Sequence, residues 1–216
     1  MMKLFVVILL WILLPLAAIS QINIEMANKA AELNNKASGL LSTGQYLEAE
    51  AHLSKAIKYD STLRSAYINL HESYSKQDKL DSAIANLSKA VSVFTDDDEL
   101  WYYLGNTHNK SNQFEQAIQA YNKAIELNKI NGENFSLTWA YYFNKANCLA
   151  QLKKYNDAIT NYSQAIRLQP ENANIFFNRG MCHLMCKDKM AAKADWTEAQ
   201  KLGMTEARQY IIKHCQ

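Results

Sequence analysis

Proline and glycine are scarce in this chain, with two prolines and six glycines among 216 residues. Past residue 20 only Pro170 remains, and since both residue types break helices, their scarcity favours helix throughout. An excess of charge of one sign is also missing, with 23 basic against 21 acidic residues, so nothing resembles the electrostatic footprint of a nucleic-acid binder. No Gly-rich phosphate loop and no Gly-x-Ser-x-Gly elbow occurs. His71-Glu72 lacks the second histidine that a zinc-protease helix requires, and the other histidines are scattered along the chain. No catalytic residue, metal site or cofactor is therefore expected.

Cysteine is limited to Cys148, Cys182, Cys186 and Cys215. Cys182, His183 and Cys186 have the order Cys-His-x-x-Cys, not the Cys-x-x-Cys-His of haem attachment, and a zinc site would need a fourth ligand. Buried or disulfide-bonded thiols are the plainer reading. The acidic run Asp96, Asp97, Asp98 and Glu99 lacks the alternating spacing of a calcium loop. It precedes an apolar helical segment, where negative charge favours the helix dipole.

What the chain does have begins at its N-terminus. Lys3 is followed by an unbroken apolar run from Leu4 to Leu14, then Pro15 and Leu16 to Ser20. That layout predicts a signal peptide over 1–20, with small Ala18 and Ser20 ahead of cleavage at Gln21. The run from Leu4 to Ile19 is shorter than the roughly 20 apolar residues that span a bilayer, so no stable membrane span is expected after cleavage. No cysteine follows the cleavage point to take a lipid. A periplasmic or secreted location follows, with a mature chain 21–216 of formal charge +1.

The main signal is a repeat. Ala49, Ala83 and Ala117 lie 34 residues apart, and so do Ala56, Ala90 and Ala124. Ala158 with Ala165, after seven extra residues (132–138), and Ala192 with Ala199 continue the pairing. A 34-residue period marks an array of helical hairpins, here over 30–63, 64–97, 98–131, 139–172 and 173–206. Two alanines seven residues apart share one helix face, where a small side chain allows close approach of a second helix. Gly44, Asp78 and Asn112 recur between the helices and tolerate the left-handed conformation that ends one. Residues 204–216 predict a capping helix, with Thr205 as N-cap.

With Trp101, Leu104, Gly105, Ala117, Tyr121 and Ala124 in one unit, and Tyr142, Tyr155, Ala158, Tyr162, Ala165 and Pro170 in another, the chain resembles the tetratricopeptide-repeat (TPR) family. The likeness covers about four fifths of the chain, and its C-terminal segment resembles exported bacterial members. It implies an all-α, right-handed solenoid of five helical hairpins with a C-terminal capping helix. It also implies that positions 2, 5, 9, 12 and 13 of each first helix line a concave groove. Those positions supply the peptide-binding candidates Lys76, Tyr102, Asn106, Lys110, Phe143, Asn147, Phe177 and Met181. The rings at position 5 are expected to be exposed there, burying apolar side chains of a peptide, and the amides to bond its backbone. A terminal-carboxylate clamp is not expected, because the positions that hold its basic residues carry Tyr102, Asn174 and Asn178.

The function so implied is an exported scaffold that binds a peptide or protein segment through its groove. A structural or self-assembling envelope component and a chaperone-like peptide binder are the alternatives, and the oligomeric state is open. Among the cysteines, Cys182 and Cys186 lie one turn apart with nearly parallel side chains, a poor geometry for a mutual bond. A bridge from Cys215 to Cys182 or Cys186 is expected instead, stapling the end of the array.

Overall fold

Five reversals set the architecture. Gly44, Asp78, Asn112, Lys153 and Lys187 have φ of 77°, 58°, 58°, 59° and 65°, the left-handed region that turns a chain out of a helix. At each, the following amide reaches back five residues at 2.9 Å: Gln45 to Leu40, Lys79 to Tyr74, Gln113 to His108, Lys154 to Leu149 and Asp188 to His183. This closure satisfies a carbonyl that the helix end leaves without a partner.

The computed structural model describes the backbone of residues 2–132 and 135–215, and the side chains of 21–132 and 137–215. Among the described residues there are eleven helices and no strand: α1 (Met2–Ser42), α2 (Tyr46–Tyr59), α3 (Arg64–Lys76), α4 (Leu80–Val93), α5 (Asp98–Lys110), α6 (Phe114–Ile130), α7 (Phe135–Gln151), α8 (Tyr155–Leu168), α9 (Ala173–Met185), α10 (Lys189–Lys201) and α11 (Ala207–His214). The side chains of residues 1–20, read above as a signal peptide, lie outside the described ones. No helix searched among the described residues is long and apolar enough to cross a membrane.

The chain divides into two compact units, Met1–Phe94 and Thr95–Gln216. In the first, α1 packs on α2, α2 on α3 and α3 on α4, and α1 also touches α3. In the second, each helix from α5 to α10 packs on its successor, α5 touches α7, and α7 touches α9. The ten alanines of the repeating pairs, from Ala49 to Ala199, are all 0% exposed. Their smallness brings neighbouring backbones together. Gly105 and Gly180 act in the same way, since a Cβ there would stand 2.6 Å from Tyr121 Cε1 and 2.7 Å from Trp196 Nε1.

The seven extra residues do not make a long loop. α6 and α7 have 17 residues each, against 14 in α8 and 13 in α9, so the insertion lengthens two neighbouring helices by about a turn each. A polar network fastens the extension. Thr138 Oγ1 donates to Asn128 Oδ1 at 2.7 Å, Asn128 Nδ2 donates to Asp98 Oδ2 at 2.9 Å, and Tyr141 Oη donates to the same oxygen at 2.9 Å. The acidic run is thus more than dipole compensation: Asp97 caps α5 by accepting from Leu100 N–H at 3.0 Å, and Asp98 ties α5 to α6 and α7.

The last helix is shorter than expected. α11 starts at Ala207, and Thr205 does not cap it; Glu206 stands at the N-cap with helical φ of −62° and no side-chain cap bond. A turn from Ala207 N–H to the Met204 carbonyl, at 3.2 Å, already leads the chain into the helix. Buried Ala207, with Tyr210, seats α11 on the cluster around Trp196.

Candidate functional site

The first helices of the second unit carry a repeated polar node. Asn106 Oδ1 on α5 accepts from Tyr121 Oη on α6 at 2.8 Å and from Asn144 Nδ2 on α7 at 3.0 Å. One hairpin later, Asn147 Oδ1 on α7 accepts from Tyr162 Oη on α8 at 2.6 Å and from Asn178 Nδ2 on α9 at 3.2 Å. Each node joins three helices through one amide oxygen. Burial pushes the Tyr121 and Tyr162 hydroxyls well above the ordinary phenol range, which keeps them protonated as donors.

Beside the second node lies a cavity of 580 Å³ whose wall includes Asn109, Asn112, Asn147, Gln151 and Asn178. Phe114, Tyr155, Met181 and Met185 supply its apolar surface, and no charged side chain among the described residues lines it. Such a wall suits a ligand that offers hydrogen bonds without net charge, because carboxamides both donate and accept. Flexible thioethers adapt to irregular apolar shapes.

Of the residues that the sequence nominates, Asn147 and Met181 line this cavity. Asn106 holds the other node. Lys110 is exposed at the end of α5, and Lys76 is exposed on α3 in the first unit. The position-5 rings depart from expectation: Tyr102, Phe143 and Phe177 are half-buried instead of exposed. Tyr102 lies 4.8 Å from the Tyr141 ring, Phe143 lies 5.9 Å from Tyr162, and Phe177 meets Tyr210 edge-on at 4.8 Å. Each of these rings is thus shared between the helix surface and its aromatic neighbours, and none of the three lines the cavity. Phe114 and Tyr155 line the cavity as well; the sequence marks Tyr155 only as a repeat residue, although an aromatic at the first position of the second helix recurs in both hairpins.

The family model of soluble NSF attachment protein (SNAP) matches residues 21–210. The chain is a TPR protein of the SNAP family. Among solved structures it shares its fold with the TPR protein YrrB, at a TM-score of 0.71 and 23% identity over 87% of this chain and 94% of that one. The MamA protein gives a TM-score of 0.72 at 20% identity, over 85% and 95%. The human mitochondrial import receptor subunit TOM70 is 31% identical over 93 residues, 43% of this chain, and the match spans 15% of TOM70. These likenesses give the SNAP-family chain the fold of TPR proteins.

Around the site, all four cysteines are free thiols. The bridge expected from Cys215 to Cys182 or Cys186 is not formed, because the three sulfurs face different partners. Cys182 is buried in the cluster with Ala146 and Tyr162. Cys186 donates to Asn156 Oδ1 at 3.4 Å and Cys215 to the Lys189 carbonyl at 3.6 Å. The C-terminal hairpin is instead clipped by Arg179 on α9, which grips Asp195 on α10 through Nε at 2.9 Å and Nη2 at 2.6 Å. Its Nη1 donates to Ser163 on α8 at 2.9 Å.

Proposed function

We propose that this chain is an exported scaffold that holds an extended, uncharged segment of a partner protein in the cavity between α5, α7 and α9. The observation that carries the reading is the wall of that cavity, with five carboxamide side chains and no charged one among the described residues. The node fixes Asn147 through its oxygen, which leaves its amide nitrogen to donate to a peptide carbonyl. The Asn178 nitrogen is engaged there, which leaves its oxygen to accept a peptide N–H. Asn147 and Met181 contact the segment in this reading, while Tyr102, Asn106, Phe143 and Phe177, like Lys76 and Lys110, stand outside the cavity lining. YrrB, which shares the fold, is described as having an unusual peptide-binding site, and that likeness supports the same use here. Export rests on the apolar N-terminal run, and sequencing the mature protein from the producing cells is expected to read from Gln21.

Selection of a displayed random-peptide library on the purified chain tests the groove. Enriched peptides are expected to be poor in charged residues, and their affinity to change little between low and high salt, since exposed charge pairs are the part that salt screens. The double change Asn109→Ala with Gln151→Ala, at two cavity residues outside the node, is expected to weaken binding by tenfold or more at about 1 kcal/mol per lost hydrogen bond. An acidic or basic consensus, or full binding by the double variant, would overturn the assignment.

A further inference from the structure

A second cavity, of 740 Å³, opens from another face of α7 and is cationic where the first is neutral. Lys129 from the end of α6, Lys145 from α7 and Arg167 from the last turn of α8 all line it, and no carboxylate among the described residues does. The exposed Lys129 and Arg167 stand outside the half-buried Lys145. Gln164 accepts from the Arg167 guanidinium with its carbonyl oxygen, so its amide nitrogen remains as a fourth donor toward the opening.

Lys145 is the telling residue. Among the described residues its ammonium has no hydrogen-bond or ion-pair partner, although it is half-buried. Burial holds it below the ordinary lysine range, Asp157 pulls it part of the way back, and Lys129 pushes it down again. A half-buried charge beside a like charge is costly unless something compensates it. Packing alone accounts for burying the aliphatic stem. It does not account for a third cation and a free amide donor converging on the same opening.

We propose that this cavity binds a phosphate-class oxyanion, with Lys145 beneath it, Lys129 and Arg167 flanking it, and the Gln164 amide donating to it. Charge-assisted bonds from several nitrogens to the oxygens of one anion are the strong kind. The site is separate from the peptide cavity, with which it shares no lining residue, so either can be wrong without the other.

The test is calorimetric titration of the full chain with inorganic pyrophosphate at constant ionic strength. One saturable site is expected, weakened about tenfold in Lys145→Met, which keeps the apolar stem, and in Arg167→Gln, which changes an exposed residue and carries little folding risk. Lys193→Met on α10 is expected to bind as the parent does. A non-saturable response, or equal weakening by all three changes, would overturn the proposal as general charge screening. Sedimentation with phosphatidylglycerol vesicles separates the sources. Co-pelleting that requires Lys145 identifies a lipid headgroup, and absence of pelleting with retained pyrophosphate binding identifies a soluble phosphate.

Discussion

At the residue scale the hairpin reversals show a price that the chain carries at two of its five turns. Gly44 meets the left-handed region without a Cβ, and Asp78 and Asn112 tolerate it, but Lys153 and Lys187 sit there at φ of 59° and 65° with a full side chain. A residue with a Cβ loses about 1–2 kcal/mol in that conformation, part of which glycine returns as extra freedom when unfolded. Lys153→Gly is therefore expected to stabilise the chain by about 0.5–1 kcal/mol, seen as a higher urea midpoint with unchanged slope. A lowered midpoint would mean that the lysine stem contributes more than the backbone loses. These turns show where sequence reading works and where it stops. Gly44, Asp78 and Asn112 announce themselves by residue type, as do the buried alanines by their spacing. Lysine carries no such mark, and its role at residues 153 and 187 follows only from register.

At the scale of elements, the clip of Arg179 on Asp195 and Ser163 joins three helices, and Asp195 is 7% exposed while Arg179 is 20% exposed. Asp195→Ala leaves a partly buried guanidinium without its carboxylate and is expected to cost about 3 kcal/mol. A double-mutant cycle with Arg179→Met measures how much of that loss is the pair itself, and a coupling near zero would show that solvent already replaces the bond. The clip was not legible because its partners, 16 residues apart, acquire their register from helix packing. The half-burial of Phe143 escaped for the same reason. One position along a helix turns a side chain by about 100°, enough to share a ring between groove and core. The all-helical hairpin architecture was legible, since each helix declares itself by local spacing.

At the scale of the molecule, burial raises phenols in both units, Tyr67 and Tyr74 in the first and a larger set, thiols included, in the second. Burial pushes the Cys148 thiol up to about 12 and Cys182 up to about 11, and raises Tyr121, Tyr141 and Tyr162 above their ordinary range. The folded chain keeps protons that an unfolded one releases at about pH 8.5 for thiols and about pH 10 for phenols. The stabilisation is complete below those values and is lost as pH rises through the folded pKa. The thermal midpoint is thus expected to hold from neutral pH to about pH 8 and to fall steadily above about pH 9; a midpoint flat to pH 11 would contradict the burial of these groups. The paired nodes carry one more consequence. α7 offers a donor amide, Asn144, to the hairpin before it and an acceptor amide, Asn147, to the hairpin after it. The segment 139–172 therefore has matching plug and socket, and an in-frame second copy of it would find both connections ready, lengthening the array by one unit without stranding a buried amide.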